Sequence, residues 1–224
     1  RVFVGLFTSA AYSRAPHDIP VVRMKSMRVM NRAGFKPGSH NRKAFAHIID
    51  TFPRDELFQI NEDALYEMCM GILNLQERQR VALFVRMDDF SRFASCLIHI
   101  PRDSMTTELR QDMQAILERA FNGELKAFYT QIGDAPLARL HVIISTPDAG
   151  KTDVDLYEVE NQLIEAARSW SDHLRDQLVT SNGEEKGLEQ YRRHRNAFPA
   201  GYIETHNGAL AVNDIAKLDD VLKT

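Results

Sequence analysis

At Val81 the spacing of the apolar residues changes from the roughly 3.6-residue period of a helix to the two-residue period of a strand. Every second residue of the run 81–87 is apolar, and a second alternating run follows at 93–100 after the polar turn 88–92. A period of two residues places successive side chains on opposite faces of a sheet, so the two runs predict a β-hairpin. In its second strand one face is wholly apolar and the other is mixed. The apolar face holds Ala94, Cys96, Ile98 and Ile100, and the mixed face holds Phe93, Ser95, Leu97 and His99.

An apolar sheet face needs a covering helix, and the next segment predicts one. Apolar residues recur at helical spacing from Leu109 to Phe121, just before the helix terminator Asn122-Gly123. Two further strands are predicted at 125–132 and 137–144, joined by a turn that contains Gly and Pro. In the last strand we expect one side to face inward and the other outward. The inward residues are Leu140, Val142 and Ile144, and the outward residues are Arg139 and His141.

Before the first hairpin, the sequence predicts a strand and then a block of helices. The run 2–8 is rich in β-branched and aromatic residues, which favours a strand. Helices are then predicted at about 18–33, 39–52 and 61–75. The order strand, helices, strand, strand, helix, strand is that of a ferredoxin-like fold. We therefore predict an α+β module over residues 1–152, with an antiparallel sheet of about five strands covered by helices and a helical insertion at about 18–78.

The C-terminal part of the sequence predicts helices. Apolar residues alternate at three and four positions from about Asp155 to Thr180, which favours one long helix whose stripe is a packing or dimer seam. A charged helix is predicted to follow and to end near Ala197. We assign residues 153–198 to this long helix and its helical extension. Residues 199–224, which begin with a Pro-Ala-Gly break, are predicted to be a linker or the start of a next module.

Four segments of the sequence carry a family resemblance. They are RVFVGLFTSAAYSRAPHDIP at 1–20, TFPRDELFQI at 51–60, LQERQRVALFVRMDDFSRFASCLIHIPRD at 75–103 and AFPAGY at 197–202. Together they make the chain resemble the large bacterial NAD-specific glutamate dehydrogenases over essentially its whole length. In that family the region precedes the catalytic domain and belongs to a long regulatory part built of ACT-like modules. ACT modules use the ferredoxin-like order, which agrees with the predicted topology.

The resemblance implies one function for the parent protein and another for this segment. The parent would oxidatively deaminate L-glutamate to 2-oxoglutarate with NAD, in amino-acid catabolism. The segment would be a non-catalytic regulatory and oligomerisation region with no cofactor of its own. Because the sequence begins within an apolar run and without Met, we expect it to be a fragment of that longer protein. The alternative hypothesis is a structural scaffold that assembles subunits and binds no small molecule.

The resemblance also implies a candidate site. ACT-like modules often bind amino acids where two modules meet, so the loop after the first strand is a candidate effector or interface site, with an amino acid as the expected effector. The expected protein partners are other domains of the same polypeptide and further copies in a homo-oligomer. Alternatively, the small and polar residues of this loop simply turn the chain. The candidate residues are Thr8, Ser9, Tyr12, Ser13 and Arg14.

Composition argues against several classes of partner. The 28 basic and 31 acidic residues leave a net charge of -3, which gives no general attraction to nucleic acid. No apolar run approaches the roughly 20 residues that a membrane span needs. The two cysteines, Cys69 and Cys96, are too few for a disulfide framework and favour a reducing, cytoplasmic location.

Short motifs that suggest phosphate, dinucleotide or metal binding do not have the spacing or the structural context that such sites need. The AGKT run at 149–152 lacks the earlier glycine of a phosphate-binding loop, and the chain has no GxGxxG. Cys96 and His99 lie three residues apart in a strand and so point to opposite faces, where they cannot chelate one ion. His40 and His47 would share a helix face without further ligands, and we expect them on the surface. Cys69 is expected to be a buried structural thiol.

The sequence therefore assigns no catalytic, cofactor-binding or metal-binding residue. Neither GxSxG nor a cysteine-nucleophile signature is present. The strand at 93–100 lacks the aromatic run with which an RNA-recognition module stacks bases. The basic run at 191–195 is diluted by nearby acids, and it predicts a solvated helix face or an interdomain contact.

Overall fold

The computed structural model describes residues 8–75, 78–146, 154–206 and 208–221. The chain separates into two compact units, of which the first ends at Ile164 and the second begins at Glu165. The predicted first strand at 2–8 lies outside the described residues except for Thr8, which precedes the first helix. The predicted AGKT loop at 149–152 also lies outside them.

The first unit begins with a layer of helices, where the sequence predicts a helical insertion. Gly34 ends the second helix in the left-handed region, at φ 66°, and the Ser39 hydroxyl accepts a hydrogen bond from the Arg42 amide at 3.3 Å to start the third. The apolar sides of the helices in this layer form one core, in which Phe45, Leu57 and Leu65 have no exposed surface. The helices are α1 (Ser9–Ser13), α2 (Pro20–Ala33), α3 (His40–Thr51), α4 (Arg54–Gln59) and α5 (Glu62–Leu75).

Both predicted hairpins are present and form one antiparallel sheet. Its strands are β1 (Ala82–Met87), β2 (Phe93–Pro101), β3 (Glu124–Gln131) and β4 (Leu137–Ser145), with α6 (Thr107–Ala120) between the hairpins. The strand order is β1-β2-β4-β3. Because β4 is antiparallel to both of its neighbours, β2 and β3 run parallel on either side of it, and β2-α6-β3 is a split βαβ unit. The sheet of the described residues has four strands, and the fifth of the prediction is the run at 2–8.

The apolar face of the sheet is covered as the sequence predicts. Helix α6 packs against β3 and β4, and it buries Leu109, Met113 and Leu117. Helix α7 (Leu156–Ala166) follows β4 and reaches the β1 edge of the sheet, where the Glu160 carboxylate accepts a hydrogen bond from the Leu83 amide at 3.1 Å. That contact occupies a backbone donor that an edge strand would otherwise leave unpaired.

The opposite face of the sheet is also covered, which corrects the prediction that Arg139 and His141 face outward. Leu97 of β2 belongs to the same apolar core as the helical layer, and Phe84 of β1 packs against it. His141 is consequently buried, with 4% of its surface exposed. The physical reason is that the helical insertion folds back onto the sheet, so an alternating strand is enclosed on both sides.

The second unit contains four helices among the residues that the structure describes. They are α8 (Trp170–Asn182), α9 (Glu184–His194), α10 (Ala200–Thr205) and α11 (Gly208–Val221). The predicted long helix at 155–180 is interrupted before Trp170, because Ser169 and Asp172 form a capping box that starts a new helix. Residues 199–224 are predicted to be a linker or the start of a next module, yet α10 and α11 lie here and α11 packs against α8. The shared core consists of Leu174, Leu178, Ala211 and Ile215.

None of the described helices is long and apolar enough to cross a membrane.

Candidate functional site

The predicted effector residues lie on α1 and its two flanking positions. Three contacts fix this short helix to α4: the Tyr12 hydroxyl donates to the Asp55 carboxylate at 2.9 Å, the Arg54 guanidinium donates to the Arg14 carbonyl at 2.9 Å, and the Tyr12 ring meets the edge of Phe58. The hydrogen bond to Asp55 raises the pKa of Tyr12. The structure thus places Thr8, Ser9, Tyr12, Ser13 and Arg14 together on one exposed surface.

A second candidate site lies where the helical layer meets the turn between β3 and β4. His99, Arg139 and Gln131 stand opposite one another on three neighbouring strands and form a polar row across the sheet. Above this row, α3, α5 and the turn leave a cleft of about 660 Å³, a size typical of small-molecule sites. We call this the β-row cleft. Its lining also includes His40, His47, Ile48, Thr51, Ile72 and residues 133–137.

The polar row of the β-row cleft is electrostatically unusual. Burial, together with the nearby Arg139 charge, lowers the pKa of His99 to about 4, so its imidazole is neutral near pH 7. Burial also lowers the pKa of Arg139 to about 10, which leaves its guanidinium charged. Arg139 donates one hydrogen bond to Gln131. Sequence analysis expected Arg139 at the surface, and only the packing of the helical layer turns it into a cleft residue.

A buried serine and histidine lie side by side on the same face of the sheet. Ser95 Oγ and His141 Nε2 are 2.9 Å apart, and both residues are buried. Nucleophilic catalysis needs an accessible hydroxyl and a group that orients the base. Ser95 is 1% exposed, so this pair satisfies polar groups in the core and is not arranged for attack on a substrate.

The cysteines and histidines named by the sequence occupy the predicted environments. Cys69 and Cys96 are buried, and desolvation raises the pKa of the Cys69 thiol to about 12. His40 and His47 are exposed, although both also line the β-row cleft. Cys96 and His99 point to opposite sheet faces. Within the described ranges, no group of three or more His, Cys, Asp or Glu side chains is placed to hold a metal ion.

In the second unit, the basic run at 191–195 is split between surface and core. Arg192, Arg193 and Arg195 are exposed, as predicted for a solvated helix face. His194 is buried, and its Nε2 lies 2.9 Å from an Asp219 carboxylate oxygen. The contact joins α9 to α11, and sequence spacing gave no signal for it.

Models of known protein families match most of these helices and strands. The model described as "Glutamate dehydrogenase, ACT2 domain" matches residues 82–171, which hold the four strands of the described residues. The models for helical motif 1 and helical motif 2 of glutamate dehydrogenase match residues 19–78 and 177–221. The chain belongs to the glutamate dehydrogenase family. Helical motif 1 is the layer α2–α5, so the β-row cleft lies between this motif and the ACT2 sheet.

The curated relatives share one description, "NAD-specific glutamate dehydrogenase". The protein of Halomonas elongata is 37% identical over 221 residues, and that of Pseudomonas aeruginosa is 36% identical over 216 residues. The Mycobacterium tuberculosis protein is 29% identical over 231 aligned positions. These alignments include 99%, 96% and 98% of this chain but only 14%, 13% and 14% of the respective relatives. The chain therefore spans about one seventh of the length of the curated relatives it matches.

Proposed function

We propose that this chain is a non-catalytic regulatory and assembly segment of a cytoplasmic NAD-dependent glutamate dehydrogenase. The parent would oxidatively deaminate glutamate to 2-oxoglutarate, and NAD would bind in another part of the polypeptide. The names of the relatives support the parent's activity, and the ACT2 match supports the regulatory role.

The observation that carries the proposal is the enclosure of the ACT2 sheet between two helical layers. Ser95 and His141 on this sheet contact each other within the core, and the Cys96 thiol of β2 is buried, with a pKa that burial raises. A sheet covered on both faces has no open face for a substrate, which suits a regulatory element better than an active site. Regulation then requires an effector that binds one arrangement of the layers better than another, with a typical coupling of about 1–3 kcal/mol.

The α1 surface is the proposed effector or interface site. Its contacts with α4 are exposed, so a zwitterionic amino acid that engages Tyr12 or Arg14 competes with contacts that are weak in water. We expect saturable heat of binding for at least one member of an amino-acid panel, and loss of that heat in the variants Tyr12→Phe and Arg14→Gln. The matched controls are Tyr157→Phe and Arg195→Gln, which change exposed residues elsewhere. Equal heats in all five proteins would refute the α1 site.

The absence of catalysis is tested separately. The purified chain, mixed with glutamate and NAD, should form no NADH above the blank, and a full-length relative serves as the positive control. Turnover by the chain alone would overturn the non-catalytic assignment, whatever the calorimetry shows.

A second candidate function is assembly alone, and the β3 edge of the sheet favours it. The β1 edge is partly blocked by Glu160, whereas β3 carries the exposed rings of Phe128 and Tyr129. An exposed edge strand with large side chains is a template for a second strand. A Tyr129→Lys variant should shift a dimer to monomer in light scattering, while Phe90→Lys, in the exposed turn between β1 and β2, should not. A dimer that survives both changes would exclude the β3 edge as its interface.

A further inference from the structure

The β-row cleft contains one buried polar atom without a partner among the described residues, and opposite it a partly buried guanidinium without an ion pair there. His99 is 7% exposed, and its Nδ1 has no hydrogen-bond partner among the described residues. Arg139 makes no ion pair within the described part of the chain, and its single hydrogen bond goes to Gln131. Buried polar atoms are almost always paired, so the His99 Nδ1 atom calls for a partner. The partly buried Arg139 guanidinium stands opposite it on the next strand and has donors to spare, which indicates that an absent molecule completes both groups.

The chemistry of these groups selects an anion. An arginine has five N–H donors in a planar fork and no acceptor, and Gln131 uses one of them. A carboxylate matches this fork with two parallel hydrogen bonds. The neutral His99 ring stands directly opposite Arg139 on the next strand. With its proton on Nδ1, it can donate a hydrogen bond to the same carboxylate.

The walls of the β-row cleft select the rest of the ligand. Ile48 of α3, Ile72 of α5 and Leu137 of β4 line it, so an apolar body is favoured beside the anionic head. The cleft volume of about 660 Å³ admits a molecule of only modest size. Asp134 is the one carboxylate among the lining residues, and it lies on the exposed turn between β3 and β4.

We propose that the β-row cleft binds a small organic carboxylate through Arg139 and His99, with its apolar part against the α3 and α5 side chains. A regulatory role for this ligand rests on the proposed function. Binding of the ligand does not, because it is measured on this chain alone. A ligand here would contact the helical layer and the sheet together, so it would fix their relative packing. This site is separate from the α1 surface, to which none of the cleft-lining residues belongs.

The test uses isovalerate, a branched carboxylate, with isovaleramide as its uncharged analogue and inorganic phosphate as a second anion. Isothermal titration should show saturable binding of isovalerate and none of isovaleramide. In two-dimensional NMR, isovalerate should shift the His99 ring signals, assigned with a His99→Gln variant. Arg139→Gln should weaken binding at least about tenfold, because it removes the charge-assisted hydrogen bonds to the carboxylate. Arg102→Gln, a nearby exposed change outside the cleft lining, should leave the affinity unchanged.

The outcomes separate the possibilities. Binding of isovalerate that fails in Arg139→Gln and persists in Arg102→Gln supports the site. No saturable binding, or equal affinity in both variants, overturns it. Phosphate that binds as tightly as isovalerate and shifts the same His99 signals shows a general anion site and overturns the carboxylate assignment. Should Arg139→Gln fail to fold, the wild-type comparison of isovalerate with isovaleramide at the His99 ring decides the question by itself.

Discussion

The carboxylate of Glu56 accepts two hydrogen bonds from the guanidinium of Arg86, at 2.6 Å from Nε and 2.9 Å from Nη2. Glu56 lies on α4 and Arg86 on β1, so this fork joins the helical layer to the sheet. Both side chains are nearly inaccessible, with 9% of Arg86 and 3% of Glu56 exposed. Burial opposes the charge on Arg86, but the hydrogen bond and charge of Glu56 outweigh it and raise the pKa of Arg86.

Removal of the Glu56 charge should loosen this junction. Glu56→Gln leaves the Arg86 guanidinium buried without a counter-charge, which typically costs about 3–5 kcal/mol. The matched control is Glu62→Gln, because Glu62 pairs with Arg28 at 2.7 Å on the surface and such pairs contribute about 1 kcal/mol or less. Urea unfolding followed by circular dichroism measures both. Equal losses in the two variants would show that the Glu56–Arg86 pair does not hold the layers together.

The buried neutral His99 should make stability depend on pH. Its pKa is about 4 in the folded chain against an ordinary 6.5, so the unfolded state binds more protons between these values. The free energy of unfolding should therefore fall as pH drops from about 6.5 to about 4, by up to about 3 kcal/mol from this residue. His141, whose pKa burial also lowers, contributes with the same sign.

A variant isolates the His99 contribution from the carboxylates that titrate in the same range. His99→Gln should remove part of the slope of stability against pH, whatever it does to stability at pH 7. The exposed His47→Gln should leave the slope unchanged. A His99→Gln slope identical to wild type between pH 4 and 6.5 would mean that His99 titrates normally in the folded chain.

The elements that the sequence predicts correctly are those with a strong local signal. Alternation over 81–87 and 93–100 produced β1 and β2, and the apolar stripe from Leu109 produced α6. The interruption before Trp170 also has a local signal, since Ser169 and Asp172 have the spacing of a capping box. The continuous apolar stripe across this point favours one helix, but the capping box starts a new helix at Trp170.

The β-row cleft could not be predicted, because no local pattern encodes it. An alternating strand with Arg139 and His141 on one side normally has that side in water. Here the layer α2–α5, far away in sequence, covers this side, so that His141 is buried and Arg139 is partly buried. The strand register that places Arg139 opposite both His99 and Gln131 is likewise set by the pairing of three strands and not by local sequence. The α1 residues are predicted from family resemblance alone, and the structure adds their contacts with α4.

Gly187 should tolerate no side chain. A Cβ at this position of α9 would lie 2.6 Å from the Val179 Cα and 2.7 Å from the Leu178 carbonyl carbon of α8. Gly187→Ala should therefore reduce the stability of the second unit by about 1–3 kcal/mol through overpacking, although alanine normally favours a helix. Gly201→Ala in α10 is the control, since its Cβ would meet nothing within 4 Å, and it should be neutral or stabilising by up to about 1 kcal/mol. Thermal unfolding of the two variants checks the opposite signs.

Trp170 should be the main aromatic anchor of the second unit. Its ring lies 5.1 Å from Phe198 and 6.3 Å from Tyr202, and its Nε1 donates to the His206 carbonyl at 2.7 Å. Because Trp170 is only half-buried, Trp170→Ala should lower the free energy of unfolding by about 3 kcal/mol, the lower end for such a truncation. Trp170→Phe keeps the ring contacts and loses the hydrogen bond, so about 1 kcal/mol is expected.

The control for Trp170 is Tyr157→Ala, which removes an aromatic ring that is 74% exposed on α7. Surface changes of this kind alter stability by about 0.5 kcal/mol or less. Chemical unfolding of the three variants, followed by far-ultraviolet circular dichroism, ranks their losses. If Trp170→Ala cost no more than Tyr157→Ala, the aromatic cluster would contribute little to the unit, and its stability would rest on the apolar core of α8 and α11 alone.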